Sequence, residues 1–527
     1  MRRTARYASV LVVESLVASA ALAGCFPFPL FDDCEHTLTQ CALGGAGGGG
    51  GDVSPACEAD PTRDASTATD ECAVFASASA KPGGDGTRAK PYASLAEAIA
   101  NANGKRVLAC ASGAFAESVT IDAGVEVIGG FDCSAGWTWS EGARSAIEGP
   151  ADEIALTLAE GASGAKVRSF AVRAASATVP GGSSIGVAVA DVEAELAQVD
   201  VTAGDGMDGA KGETPAEAPQ AGAPAGAVSN ACELVLGGEA GVTTCEDGET
   251  SGGRGGRGGS PGMDDGNGQR GEDGAPVPEE NPNNRGLGGI GQTDAAGECE
   301  AGENGKSGDS GVAGLADSGT TLTLDGIAGG DGGKGMNGTR GQRGGGGGGA
   351  KAGLFCQPGA DIVEGPGASG GGGGAGGCGG KGGGGGKAGG SSIGILSLGT
   401  KLVLTDVTVA VGKAGKGGDG AQGKAGATGG AGASGGAGSG LAGSKAGCDG
   451  GKGGSGGDGG PGAGGRGGHA VGIAYAATPS DTPAVQFTPG TPGDGGSAAP
   501  GGPPDSAGAP GSAGRCWDFA SGKSCGQ

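Results

Sequence analysis

The chain has 527 residues, of which 133 are glycine and only 3% are aromatic. Glycine buries no side chain and loses the most backbone entropy on folding, so this chain cannot fill several conventional hydrophobic cores. Its formal net charge of −24 argues against nucleic acid and against anionic lipid as electrostatic partners. These values disfavour a conventional multidomain enzyme.

The N-terminus has the organisation of a bacterial signal peptide. Three arginines precede residue 7, an apolar stretch follows over 8–21, and Leu22-Ala-Gly-Cys25 ends it. The last four residues resemble a lipobox, although Glu14 places a charge in the apolar stretch. The resemblance implies removal of residues 1–24 and a diacylglycerol and palmitate anchor on Cys25. It also implies outer-membrane sorting, because Phe26 rather than aspartate follows the cysteine.

The cysteine content indicates disulfides in an oxidising compartment. There are 15 cysteines and two histidines, and no cysteine pair has zinc-finger spacing, so we expect neither a metal site nor a cofactor. Acylation of Cys25 would leave 14 cysteines, an even number. Residues 25–80, which hold four of these, have the Gly, Pro, Ser and Thr content of a tether.

A repeated unit of 22 residues lies between the glycine-rich tracts. Residues 183–204 and 391–412 match without gaps at eight positions, and 311–332 and 469–490 fit the same frame. Apolar residues alternate within each unit, as in Val199-Asp-Val201, which predicts short strands with one buried face. Two or three such strands in 22 residues suit one coil of a parallel β-helix. The tracts over 205–310, 333–390 and 413–468, and the tail over 491–527, would then leave from one corner.

Short strands of the same kind over 105–176 predict that residues 81–204 hold the first coils. Cys110 and Cys133 are 23 residues apart, about one coil, and stacked strands lie close enough for a disulfide. We therefore predict that these two cysteines pair. Cys516 and Cys525 bracket a C-terminal loop that would close the last coil, and form a second candidate pair.

One segment resembles a known family. Asp85-Gly-Thr-Arg-Ala-Lys-Pro-Tyr92, followed by Ser94-Leu-Ala-Glu-Ala-Ile99, is similar to the start of right-handed parallel β-helix proteins of the pectin-lyase-like superfamily. Val125-Glu-Val-Ile-Gly-Gly-Phe131 resembles a later motif of that family. The resemblance, over about 82–149, implies an all-β solenoid with a short N-terminal capping helix. It is not specific for activity, because that fold carries both enzymes and surface proteins.

Two states of the glycine-rich tracts are compatible with the sequence. Their composition resembles that of PE-PGRS proteins, and Gly420 to Gly440 is seven unbroken Gly-X-Y triplets without proline. The tracts would form either helices with three residues per turn, packed side by side, or disordered loops.

The sequence favours a lipid-anchored protein of the bacterial cell envelope with a structural or adhesive role. A glycan or cell-surface ligand would be its partner, and no catalytic residues are assigned. Asp264-Asp265 and Gly468-His469-Ala470 are only fragments of the motifs of pectin-degrading enzymes. The alternatives are a carbohydrate-active β-helix enzyme with an unrecognised site and a passive envelope or matrix component.

Overall fold

A computed structural model describes residues 57–234, 236–275 and 281–525. The fold is rich in strand and nearly free of helix, with 25% strand and 3% helical residues. Cys25 and most of the predicted tether lie outside the described residues.

Within the described residues, helices are few and short. The α-helix α1 (Leu95–Ala100) begins at Ser94, whose Oγ accepts a hydrogen bond from the Glu97 amide at 3.0 Å. Leu95 and Ala98 are buried against the ends of the sheets, as their 3–4 spacing predicts. Three 3-10 turns span Ala65–Thr67, Asp264–Gly266 and Pro504–Ser506.

The strands form two large sheets and three hairpins. Up to residue 204 they are β1 (Ala73–Ala76), β2 (Arg106–Cys110), β3 (Ala114–Phe115), β4 (Val119–Ile121), β5 (Glu126–Asp132), β6 (Thr138–Trp139), β7 (Ser145–Gly149), β8 (Leu156–Leu158), β9 (Ala165–Ala174), β10 (Ser184–Val189) and β11 (Ala194–Ala203). The later strands are β12 (Val242–Cys245), β13 (Gly248–Ser251), β14 (Thr320–Thr323), β15 (Gly326–Gly329), β16 (Gly353–Cys356), β17 (Val363–Gly365), β18 (Ser392–Ser397), β19 (Leu402–Thr405), β20 (Thr408–Val411), β21 (Ala470–Tyr475), β22 (Gln486–Thr488), β23 (Ala513–Asp518) and β24 (Lys523–Ser524).

The two large sheets are almost entirely parallel. The eleven-stranded sheet has the order β1-β2-β5-β9-β11-β20-β22 with four strands off this path, and the seven-stranded sheet has the order β24-β23-β21-β18-β10-β8-β4. The chain crosses from one sheet to the other repeatedly, for example from β10 to β11 and from β18 to β20. Only the short strands β6 and β24 pair antiparallel to their neighbours in these sheets.

Equivalent apolar residues of successive strands stack in columns between the sheets. In the seven-stranded sheet Val187 pairs with Ile395, which pairs with Ile473, and all three are buried. Val201 and Val409 form the matching column of the other sheet. The two best-matched repeats are therefore neighbours in space. Ser184 faces Ser392 and Val201 faces Val409, both 208 positions apart (392 − 184 and 409 − 201).

The repeated glycine at the fourth position of the unit has a steric cause. A Cβ on Gly186 or Gly394 would overlap a γ-methyl of Val201 or Val409, which project from the opposite sheet. At Gly472 the same space is filled by the ring of Phe487. The valines and the phenylalanine therefore fill the core only because these glycines leave room for them.

One of the four predicted repeat units is not part of the large sheets. Residues 311–332 do not form a coil: β14 and β15 pair only with each other, as an antiparallel hairpin. Leu315 is 69% exposed, whereas the residues aligned with it, Val187 and Ile395, are fully buried. The hairpin instead packs Leu322 and Ile327 on the outer side of the seven-stranded sheet, so its apolar spacing imitates that of a coil.

The tether predicted over 25–80 is too long at its C-terminal end. Cys57 and Cys72 form a disulfide, and β1 directly after it pairs in parallel with β2. Phe75 is fully buried, with its ring centroid 4.7 Å from that of Trp137. The folded unit therefore includes residues 57–80, because this stretch contributes a strand and a core aromatic.

The glycine of the repeat gives a direct test of the columns between the sheets. We predict that Gly394→Ala lowers the free energy of unfolding by about 2 kcal/mol, because its Cβ would overlap Val409. Gly142→Ala is the control, since a Cβ there meets no atom within 4 Å. It should change stability by no more than about 0.5–1 kcal/mol. Equal guanidinium midpoints for the two variants would contradict this packing.

Candidate functional site

The glycine-rich tracts are ordered through backbone hydrogen bonds that recur every third residue. The amides of Gly374, Gly377 and Gly380 donate to the carbonyls of Gly451, Gly454 and Gly457 at 2.9–3.0 Å. The carbonyls of the same residues accept hydrogen bonds from a different segment. For example, the amide of Gly344 donates to the carbonyl of Gly374 at 3.0 Å. A period of three is that of an extended helix of the polyproline II type. The packed alternative for these tracts is therefore correct, and the disordered one is wrong.

The hydrogen bonds arrange the extended segments in three long layers and one short layer. The middle layer consists of the segments 205–231, 366–390, 330–352 and 285–293, in that order. One outer layer holds 412–437, 446–468 and 300–316, and the second outer layer holds 237–241, 252–259 and 266–275. We call this assembly the glycine bundle. It emerges from the sheets after residues 204, 412 and 490, and the segments 491–499 and 506–511 form its short layer beside 412–437 and 446–468.

Interior segments consist of runs of glycine because each row of residues faces a different neighbour. In a helix with three residues per turn, the backbone amides form three rows along the helix and the carbonyls form three more. Such a helix can therefore be hydrogen-bonded to as many as six neighbouring helices. In the run Gly372-Gly373-Gly374 an added Cβ would overlap the carbonyl oxygen of Glu239, Gly344 and Gly430 respectively, each on a different segment. Segments at the surface need fewer glycines. In 420–435 every third residue is glycine and faces the segment 446–468, and the one further glycine, Gly430, faces Ala223.

Acidic side chains on the bundle surface accept backbone amides of the adjacent segment. Asp205 and Asp208 accept from the amides of Lys413 and Lys416, both at 2.7 Å. Asp458 accepts from the Gly426 amide at 2.9 Å. These carboxylates satisfy donors that have no carbonyl opposite them. Part of the acidic excess of the chain is thus structural.

Disulfides and a small apolar cluster hold the far end of the bundle. We call the loops 228–234, 260–267, 351–366 and 437–446 the apex, because they are the turns most distant along the segments from the sheets. Phe355 is buried there among alanines, beside the Cys232–Cys356 disulfide. Two further disulfides, Cys245–Cys378 and Cys299–Cys448, join bundle segments separated by 133 and 149 residues in sequence.

His469 joins the bundle to the sheets. It precedes β21 and is 1% exposed. Its Nε2 lies 3.0 Å from Oγ1 of Thr320 in the β14–β15 hairpin, and its Nδ1 accepts a hydrogen bond from the Ser512 amide at 2.9 Å. Since Nδ1 accepts, the proton of the neutral ring is on Nε2. Three chain segments therefore meet at one neutral imidazole.

The surroundings of His469 oppose its protonation. Burial lowers its pKa from 6.5 to about 3, and the positive charge of Arg466 acts in the same direction. The edge of the ring packs against Phe519, with centroids 4.9 Å apart. His469 thus has a structural position, with a ring that is neutral at neutral pH.

The residues of the predicted motifs do not converge. Asp264 and Asp265 form an exposed turn at the apex, whereas His469 lies at the sheets. The structure pairs Cys110 with Cys133 and Cys516 with Cys525, each with a Cα–Cα distance of 5.5 Å.

Comparisons with protein-family models, with curated proteins and with solved structures found no match to this chain. In the part of the chain that the structure describes, no three histidine, cysteine or acidic side chains are grouped as a metal ion would require. No helix within these residues is long and apolar enough to cross a membrane.

The buried imidazole predicts a pH dependence of stability. The unfolded chain binds a proton at His469 near pH 6.5, whereas the folded chain does so only near pH 3. The unfolded state therefore holds more protons between these values, and stability falls as the pH is lowered through this window, by about 1.4 kcal/mol per pH unit.

In His469→Gln we expect the free energy of unfolding to depend less steeply on pH, by the contribution of one bound proton. Denaturation midpoints measured between pH 7 and pH 5 test this, because most carboxylates are still ionised in that range. The same slope in both proteins would show that His469 is not buried in its neutral form.

Proposed function

We propose that this protein is a lipid-anchored bacterial surface protein in which a β-helix carries a glycine bundle for adhesion. The two parallel sheets would be successive turns of a right-handed solenoid of the pectin-lyase-like type. The alternation of the chain between the sheets supports this, as do the stacked columns through Val187 and Ile395. The proposal assigns no catalytic step to the chain.

The length of the bundle is the observation that carries the adhesive role. Between Met207 and Ser229 one segment makes hydrogen bonds along 22 residues, a length of about 70 Å at about 3.1 Å per residue. Such a rod places its apex far from the sheets. A passive filler has no use for a rigid arm of defined length.

The surface of the apex supports contact with another molecule. Leu234, Met263 and Leu354 are 66–76% exposed there, and Ile362 is 50% exposed. Exposed apolar side chains grouped at one end of a soluble structure are typical of binding surfaces. The Cys232–Cys356 disulfide joins the loops that carry Leu234, Leu354 and Ile362, which lowers the entropy lost on binding.

Removal of the anchor tests where the protein acts. In Cys25→Ala we expect the protein to leave the membrane fraction and the cells to lose adhesion that depends on it. Cys34→Ala is the control, because it removes a nearby cysteine and leaves the lipobox unchanged. Membrane fractionation and a cell-attachment assay against a deletion strain provide the readouts. Unchanged fractionation of Cys25→Ala would contradict the lipid anchor, and equal attachment by wild type and deletion strain would contradict adhesion.

A further inference from the structure

The second outer layer of the glycine bundle has an open groove with unpaired positive charge. The cavity measures about 280 Å³ and lies between the segments 237–241, 252–259 and 266–275, beside Ser229. Arg254 and Arg257 line it, and both side chains are exposed. Neither guanidinium has an ion-pair or hydrogen-bond partner among the residues that the structure describes, although many other cations of this acidic chain are paired.

The backbone holds these two arginines in a fixed geometry. They are three residues apart in Gly-Gly-Arg-Gly-Gly-Arg, so a helix with three residues per turn places both on one edge, about 9 Å apart. Their segment is hydrogen-bonded to four neighbouring segments, through Gly253 to Gly344, Gly255 to Gly238, Glu272 to Arg254 and Gly373 to Gly253. The guanidinium groups lie on the side that faces the groove.

The remaining groups of the groove favour a hydroxylated ligand. Glu239, Glu272 and Gln269 line the same cavity, and Arg270 beside them is paired with Asp273. Guanidinium groups bind carboxylates and sulfates through two parallel hydrogen bonds, whereas carboxylates and amides accept from hydroxyls. The net charge of −24 opposes any polyanion, so the charge alone does not select the ligand. A polyphosphate without facing hydroxyls would use only the arginines, whereas an acidic sugar would also donate to the glutamates and to Gln269.

We propose that this groove binds an acidic polysaccharide, with Arg254 and Arg257 on successive acidic groups and the glutamates on sugar hydroxyls. The inference rests on the proposed adhesive function and names its ligand class. It places the sugar site on the side of the bundle and not in the solenoid.

The test compares charge-matched variants. Arg254→Gln/Arg257→Gln removes two charges from the groove, whereas Lys166→Gln/Arg173→Gln removes two exposed charges from the eleven-stranded sheet. The probes are hyaluronate, which is carboxylated, heparin, which is also sulfated, neutral dextran and double-stranded DNA. Titration calorimetry of the purified chain at several salt concentrations gives the affinities.

We expect wild type to bind hyaluronate or heparin and not dextran, and we expect the groove variant to bind about tenfold or more weakly. The sheet variant should match wild type. Glu239→Gln should weaken sugar binding, since it replaces a charged acceptor of hydroxyl hydrogen bonds by a neutral one. Stronger binding of this variant would show that the ligand uses only the positive charges.

Two outcomes overturn the inference and are distinguishable from failure of the adhesive role. Equal affinity of the groove and sheet variants would place the sugar elsewhere while leaving adhesion intact. Preference for DNA over both acidic sugars would identify the groove as a polyphosphate site. If wild type binds no probe and its cells still attach, the groove assignment is wrong; if the cells do not attach either, the proposed function fails with it.

Discussion

Close approach of glycine backbones is the constraint on which the bundle depends. A Cβ at Gly346 would overlap the carbonyl of Arg254, and one at Gly348 would overlap that of Ile290. Extended helices therefore pack at hydrogen-bonding distance only where the facing residue has no side chain. Each such contact satisfies a backbone donor that would otherwise be buried without a partner. Because a single hydrogen bond adds only about 0.5–1.5 kcal/mol, stability here has to come from many repeated bonds.

The sheets fix the register in which neighbouring bundle segments begin to pair, which glycine residues alone cannot specify. Residues 184–203 and 392–411 are neighbours at an offset of 208, and the bundle continues almost the same pairing. The amides of Gly206 and Gly209 donate to Lys413 and Lys416, an offset of 207. The apolar columns thus align the bases of two bundle segments, and the three bundle disulfides fix partners farther out. This division explains how a chain with 3% aromatic residues orders so much of its length.

Much of the scaffold could be predicted because apolar residues specify it locally. Helix α1 and the stacking of residues 183–204 on 391–412 follow from periodicity and from repeat matching. The prediction of a coil over 311–332 was wrong because Leu322 and Ile327 have the spacing of a coil but cover the outside of a sheet. Local pattern does not distinguish an apolar residue that faces inward from one that covers the surface.

The order of the glycine tracts and the groove could not be derived in the same way. Ordered and disordered glycine chains share one composition, and the partners that decide between them lie far apart in sequence, as Cys299 and Cys448 do. One signal was present: uninterrupted glycine in 344–349 marks a surrounded segment, whereas Gly-X-Y in 420–440 marks an exposed one. That Arg254 and Arg257 lie on the same edge can be derived only once their segment is known to be a helix with three residues per turn. Nothing in the sequence distinguishes His469 as a junction.

Hydrogen exchange resolved by residue in the segment 412–437 tests the bundle most directly. One row of amides donates to carbonyls of the segment 366–390, and the amides of the adjacent row have no hydrogen-bond partner among the described residues. The bonded row is Ala421, Lys424, Ala427, Gly430 and Ala433, and the other row is Gln422, Ala425, Thr428 and Ala431. We predict protection that rises and falls with a period of three residues. Uniform exchange at the random-coil rate over 413–467 would contradict the packed bundle.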